Sequence, residues 1–119
     1  YPPSIYHALK RVSGYPQIKE IIVTENGAAF TDEVVEGRVE DVKRVNFLKD
    51  HIEQVLLARR EGVNVKGYFV WTLTDNFEWA EGLHPRFGLV HVDFQTQKRI
   101  IKASGRWYRD FIKREEDKT

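Results

Sequence analysis

A glutamate at the end of an apolar run is the first residue of this sequence with chemistry to offer. Ile21-Ile22-Val23-Thr24 precedes Glu25, and Asn26-Gly27 follows it. A carboxylate fixed where a strand ends is available as a nucleophile or a base. The same stretch also reads as a plain strand end closed by an Asn-Gly turn. A second stretch, Trp71-Thr72-Leu73-Thr74-Asp75-Asn76-Phe77-Glu78-Trp79-Ala80-Glu81-Gly82, is denser in functional groups. Its plain reading is an aromatic core segment with solvated acids, yet it follows neither a strand nor a helix period. Indole faces cover the apolar C–H face of a sugar ring, and carboxylate oxygens accept from pairs of hydroxyls. Trp beside carboxylate in this stretch therefore suits a neutral sugar, with the Trp79 Nε1 expected to donate one further bond. His91 and Asp93 share a strand face but lack a third ligand, so no metal site is expected. His7 and His51 read as helix-surface or packing residues. No Gly-rich phosphate loop or Ser nucleophile motif is present, and no cofactor is implied.

The elements that must hold these residues follow from hydrophobic spacing. Ser4 is expected to cap a short helix with Ile5, Ala8, Leu9 and Val12 on one face, ended by Gly14 and Pro16. The β-branched run before Glu25 reads as a strand buried on both faces, as in a parallel sheet. Residues 28–38 read as a polar surface loop. From about Glu40 to Glu61, Val42, Val45, Leu48, Ile52, Val55 and Leu56 mark a helical stripe. A second apolar strand is expected over Val65–Thr72. Strand, helix and strand make a right-handed βαβ unit with parallel strands. Both strand ends then lie on one edge of the sheet, which would bring Glu25 and Trp71 to one mouth. Farther on, 87–94 and 98–102 are expected to pair as short strands. Ser104 is expected to cap a last helix, and the charged tail from Lys113 to Thr119 is expected to fray.

Composition sets the outer bounds. The chain has 119 residues, 41% hydrophobic and 31% charged, which excludes a low-complexity or strongly charged disordered chain. A formal charge of +1 offers no basic field for nucleic acid and no polybasic anchor for a membrane. Cysteine is absent, which removes disulfides and thiol chemistry and fits a cytoplasmic setting. Methionine is absent too, so an upstream portion is expected. Two parallel strands with open edges point the same way, toward part of a larger sheet.

Thr24-Glu25-Asn26-Gly27 and Gly67-Tyr68-Phe69-Val70-Trp71-Thr72-Leu73-Thr74-Asp75-Asn76-Phe77-Glu78-Trp79 closely resemble glycoside hydrolase family 1, the β-glucosidase and β-galactosidase family. The resemblance continues through Arg86-Phe87-Gly88-Leu89-Val90-His91-Val92-Asp93, Lys102-Ala103-Ser104 and Trp107-Tyr108. Asp41, Arg44, Val45, Phe47, Leu48 and His51 stand in the family's order as well. It implies an α/β fold, the C-terminal segment of a (β/α)8 TIM barrel holding its seventh and eighth βα units. Residues 1–119 would then be one portion of a single barrel domain, with the N-terminal portion of the same barrel as partner. It implies hydrolysis of β-glycosides with retention. Glu25 matches the nucleophile, Trp71, Glu78 and Trp79 match sugar-binding residues, and Phe87 matches a residue lining that pocket.

Retention needs a second carboxyl as acid/base, about 5–5.5 Å from the nucleophile. The family carries it in a Thr-Asn-Glu-Pro-type motif that this sequence lacks, so the chain holds half of the pair. Glu78 would repel a phosphate, which favours an unphosphorylated glycoside. The rival readings are a sugar-binding pseudoenzyme without catalysis and a βαβ interaction module. Intact Glu25 and Glu78 favour the enzyme.

Overall fold

A computed structural model describes residues 1–118, and Thr119, the last residue of the expected fraying tail, lies outside them. The chain forms two compact units. One combines residues 1–26 with 46–70; the other combines 27–45 with Trp71 onward. No described helix is long and apolar enough to cross a membrane.

The first unit holds helix α1 (Pro3–Ser13), strand β1 (Ile21–Asn26), residues 46–60 of helix α2 (Val42–Arg60) and strand β2 (Val65–Val70). Pro3 suits the first helical turn because its fixed φ is already helical and its missing N–H is not needed there. Ser4 is no cap: it lies inside α1, and its hydroxyl donates to the Tyr1 carbonyl. Gly14 ends the helix as expected. Leu9 of α1 and Val55 and Ala58 of α2 pack on Val63 and Val65, with Ile5, Tyr6, Ile21, Val23 and Tyr68 at the margin.

β1 and β2 pair in parallel, with Ile21 opposite Val65 and Asn26 opposite Val70. The expectation that β1 is buried on both faces fails within this unit. Ile22 is 49% exposed and Phe69 of β2 is 59% exposed, because helices pack on the sheet's other residues and leave these uncovered. The strands also end differently from expectation. β1 runs past Glu25 to Asn26, and β2 stops at Val70, before Trp71.

In the second unit, a loop from Gly27 leads to the first turn of α2. Val42, expected on the apolar stripe, is exposed, since the buried side of that turn belongs to Asp41 and Arg44. Residues 72–75 then run beside 87–90. The Thr72 amide donates to the Phe87 carbonyl, Leu89 to Thr72, Val90 to Leu73 and Asp75 to Val90. Strands β3 (Val90–Val92) and β4 (Arg99–Ile101) pair antiparallel, a shorter version of the expected hairpin. Asp93 shapes its turn by accepting from the Gln95 and Thr96 amides. Helix α3 (Ala103–Glu116) follows, so much of the charged tail is helical rather than frayed. Lys102 occupies its N-cap position without a side-chain capping bond, and Ser104 faces inward instead of capping.

Candidate active site

Glu25 stands one residue before the end of β1, in the first unit, with an exposed side chain. Parallel pairing puts this end of β1 on the same sheet edge as the C-terminal end of β2. Beside Glu25 in sequence, the Asn26 side chain accepts from the Tyr68 hydroxyl at 2.5 Å, which ties the two strand ends together. An apolar strand that finishes on a carboxylate needs no buried partner for it when the strand end is open to solvent.

The other candidate residues lie in the second unit. Trp71 and Glu78 meet there: the Trp71 indole Nε1 donates to Glu78 Oε1 at 3.4 Å, at the long limit for such a bond. The Trp71–Thr72 peptide is cis. Glu78 is half-buried and opens a tight loop around a single 3₁₀ turn, Trp79–Glu81. Its amide donates to the Gly82 carbonyl at 2.7 Å, and its carbonyl accepts from the Glu81 amide at 2.9 Å. Trp79 is 85% exposed, so its indole is free to cover a ligand rather than buried in a core. Its φ of 45° is unusual for a bulky residue and marks a strained turn. The Trp71 indole thus bonds Glu78, while the Trp79 indole stands open to solvent. Phe87 is half-buried, held by its carbonyl against Thr72. Glu81 is exposed.

Gly27 serves a purpose other than the turn expected of an Asn-Gly pair. Its φ is not in the left-handed region. A Cβ there would instead lie 1.9 Å from the Trp71 carbonyl oxygen. Glycine is needed for the backbones to approach.

The same unit holds a largely buried charge network that the spacing of the sequence does not reveal. Lys102 Nζ donates to Asp32 Oδ2 at 2.5 Å and to Asp75 Oδ1 at 2.8 Å. Arg44 pairs with Asp32 at 2.9 Å and with Asp41, and donates to the Arg86 carbonyl at 2.7 Å. Arg86 pairs with Asp75 at 2.6 Å. Ser104 donates to Asp41 through both its amide and its hydroxyl. Asp32, Asp41 and Asp75 thus balance Arg44, Arg86 and Lys102, which is what makes such burial tolerable. Burial alone would raise the Asp75 pKa, but Lys102 and Arg86 outweigh it and hold the carboxyl below its usual range. Asp75 is thus no solvated acid like the exposed Glu81 of the same stretch: it is buried and paired. The available signal was the charged residues inside otherwise apolar motifs, Asp75 and Lys102 among them. Among the described residues no three His, Cys, Asp or Glu side chains are gathered as a metal ion would require.

Comparison with known proteins adds the following. The model of the family described as "Glycosyl hydrolase family 1" matches residues 1–117. A 1,4-beta-D-glucan glucohydrolase of Thermotoga neapolitana is 57% identical over 113 residues, which is 94% of this chain and 26% of that protein. A 6-phospho-beta-galactosidase of Clostridium acetobutylicum is 43% identical over 110 residues, 92% of this chain and 23% of that protein. A solved structure of the family 1 β-glucosidase from Thermotoga maritima in complex with isofagomine lactam superposes with a TM-score of 0.93. It is 55% identical, and the match covers 95% of this chain and 26% of that one. The chain spans about a quarter of the length of these relatives.

Proposed function

Because this chain belongs to glycosyl hydrolase family 1 and is a fragment of that family's (β/α)8 barrel, we propose that it is the C-terminal portion of a retaining β-glycosidase. In this reading residues 1–119 supply the seventh and eighth βα units of one barrel domain. The N-terminal portion supplies the remaining strands and the acid/base carboxyl. The substrate is an unphosphorylated β-glycoside.

Glu25 is the nucleophile. Its carboxylate attacks the anomeric carbon as the leaving oxygen is protonated by the acid/base group. A covalent glycosyl ester forms on Glu25, and water then releases the sugar with retained configuration. Trp71, Glu78, Trp79 and Phe87 hold the sugar ring: indole against its C–H face, the Glu78 carboxylate on its hydroxyls. The observation that carries this reading is the pairing of the Trp71 indole with Glu78 next to a solvent-bare Trp79. A carboxylate prepaid with one indole N–H keeps its other oxygen for hydroxyls.

Relatives of both phosphorylated and unphosphorylated specificity share the family. The charges of this unit favour the second kind. Glu78 would repel a phosphate dianion, and the half-buried Arg86 and buried Lys102 are matched by Asp75. The test compares Glu78→Ala with Glu81→Ala in the complete barrel, using an aryl β-glucoside. Loss of a hydrogen bond to a charged group costs about 1.5–3 kcal/mol, so Glu78→Ala should lower kcat/KM by about tenfold or more. Glu81→Ala should leave it within about twofold. Equal effects would contradict the assignment.

A further inference from the structure

We propose that Asp75 is a positioning residue that clamps the Glu78–Trp79 loop to the segment bearing Phe87, and so sets which sugar hydroxyls are read. The inference rests on the sugar-site reading above. It deepens that reading by adding a residue that touches no sugar.

The Asp75 side chain has no solvent exposure. Its Oδ1 accepts from the Gly88 amide at 2.9 Å and from Lys102 Nζ at 2.8 Å. Its Oδ2 accepts from Arg86 Nη1 at 2.6 Å and from the Val92 amide at 3.3 Å. Two of these donors, Arg86 and Gly88, flank Phe87 in sequence. The Asp75 amide donates in turn to the Val90 carbonyl at 3.0 Å. Side chain and main chain therefore grip the same strip, residues 86–92. Gly88 allows this closeness: a Cβ there would lie 2.3 Å from the Asp75 nitrogen and 2.6 Å from the Thr74 carbonyl carbon.

Glu78 comes only three residues after this anchor. The loop that begins at Glu78 closes on itself through Glu78 and Gly82. The direction in which the Glu78 carboxylate points is thus set by where Asp75 is held. An asparagine at position 75 has the same shape but one oxygen in place of two. Two of the four donors then face an amide nitrogen, and Lys102 and Arg86 share one fewer anion. The loop must shift to satisfy them.

A role in stability alone would lower the melting temperature and leave substrate discrimination intact. The experiment therefore measures kcat/KM for an aryl β-glucoside and for its singly deoxygenated analogues, in the complete barrel. It compares wild type, Glu78→Gln, Asp75→Asn and the double variant Asp75→Asn/Lys102→Met, with circular dichroism to confirm folding. Glu78→Gln should reduce the preference for the parent sugar over one or more particular deoxy analogues by about tenfold, the size of one charged hydrogen bond. Folded Asp75→Asn should reduce discrimination at those same hydroxyls by about fivefold or more, although it lies outside contact with the sugar. If the single variant does not fold, the double variant, which removes the orphaned cation, is read in the same way. Folded Asp75→Asn with wild-type discrimination overturns the proposal, as does failure of both variants to fold, which assigns Asp75 to stability alone. Unchanged discrimination in Glu78→Gln removes the sugar-site reading itself, and this inference with it.

Discussion

A methyl group on Gly27 would lie 1.9 Å from the carbonyl oxygen of Trp71, closer than any packed pair of atoms. The oxygen belongs to the main chain, so no side-chain rotation relieves the clash. Gly27→Ala should therefore push the Trp71 backbone and displace the indole that bonds Glu78. A displacement of about 1 Å at a substrate-positioning group can cost about 100-fold in rate, and overpacking of this kind costs about 1–3 kcal/mol of stability. The complete barrel carrying Gly27→Ala should show both losses, read as kcat/KM and as a lowered melting temperature. Wild-type values for both would show that the backbones do not approach as described. Glu78 and Trp79 could be singled out from the sequence because carboxylate and indole sit side by side in one short motif. The reason for Gly27 could not, because the atom it avoids is 44 positions away.

Elements were legible where their signal was local and illegible where a distant partner decided the outcome. The 3.6-residue stripe of Leu48, Ile52 and Val55 located α2, and the β-branched run before Glu25 located β1. Ser4 and Ser104 both read as caps by type and position. Ser104 is drawn instead to Asp41, 63 residues earlier in the chain, a pairing no local pattern encodes. The β3–β4 hairpin carries a pH consequence of the same network. His91 on β3 is buried, and its Nδ1 has no hydrogen-bond partner among the described residues. Burial lowers its pKa, and Arg86 and Lys102 lower it further, against opposing pulls from Asp75 and Asp32. The folded value thus lies below the unfolded one, about 6.5. Between the two the unfolded chain binds more protons, so stability is complete above about pH 6.5 and declines as pH falls through that window. His91→Gln should flatten the decline in melting temperature between about pH 7 and 5. An unchanged slope would mean that His91 is not the titrating group.

On the scale of the whole molecule, a fragment of a (β/α)8 barrel explains a sheet that is otherwise difficult to account for. Ile22 and Phe69 belong to parallel strands yet remain largely exposed, as strand residues do when part of their barrel is absent. The apolar character of β1 was readable from sequence; its cover, in the reading proposed above, comes from the remaining strands of the barrel. The same division applies to catalysis, with the nucleophile proposed here and its acid/base partner proposed elsewhere in the barrel. The most direct test of the central claim is therefore chemical labelling of Glu25 in the complete barrel. A β-glucoside bearing fluorine at the sugar's 2-position and a very good leaving group slows both steps but lets the first proceed, so the glycosyl ester accumulates. After trypsin digestion, mass spectrometry should find the sugar on the peptide Glu20–Arg38, and fragmentation should place it on Glu25 rather than on Glu20, Asp32, Glu33 or Glu36. An active barrel that takes up the label on any other carboxylate, or on none, would contradict the assignment of Glu25 as the nucleophile.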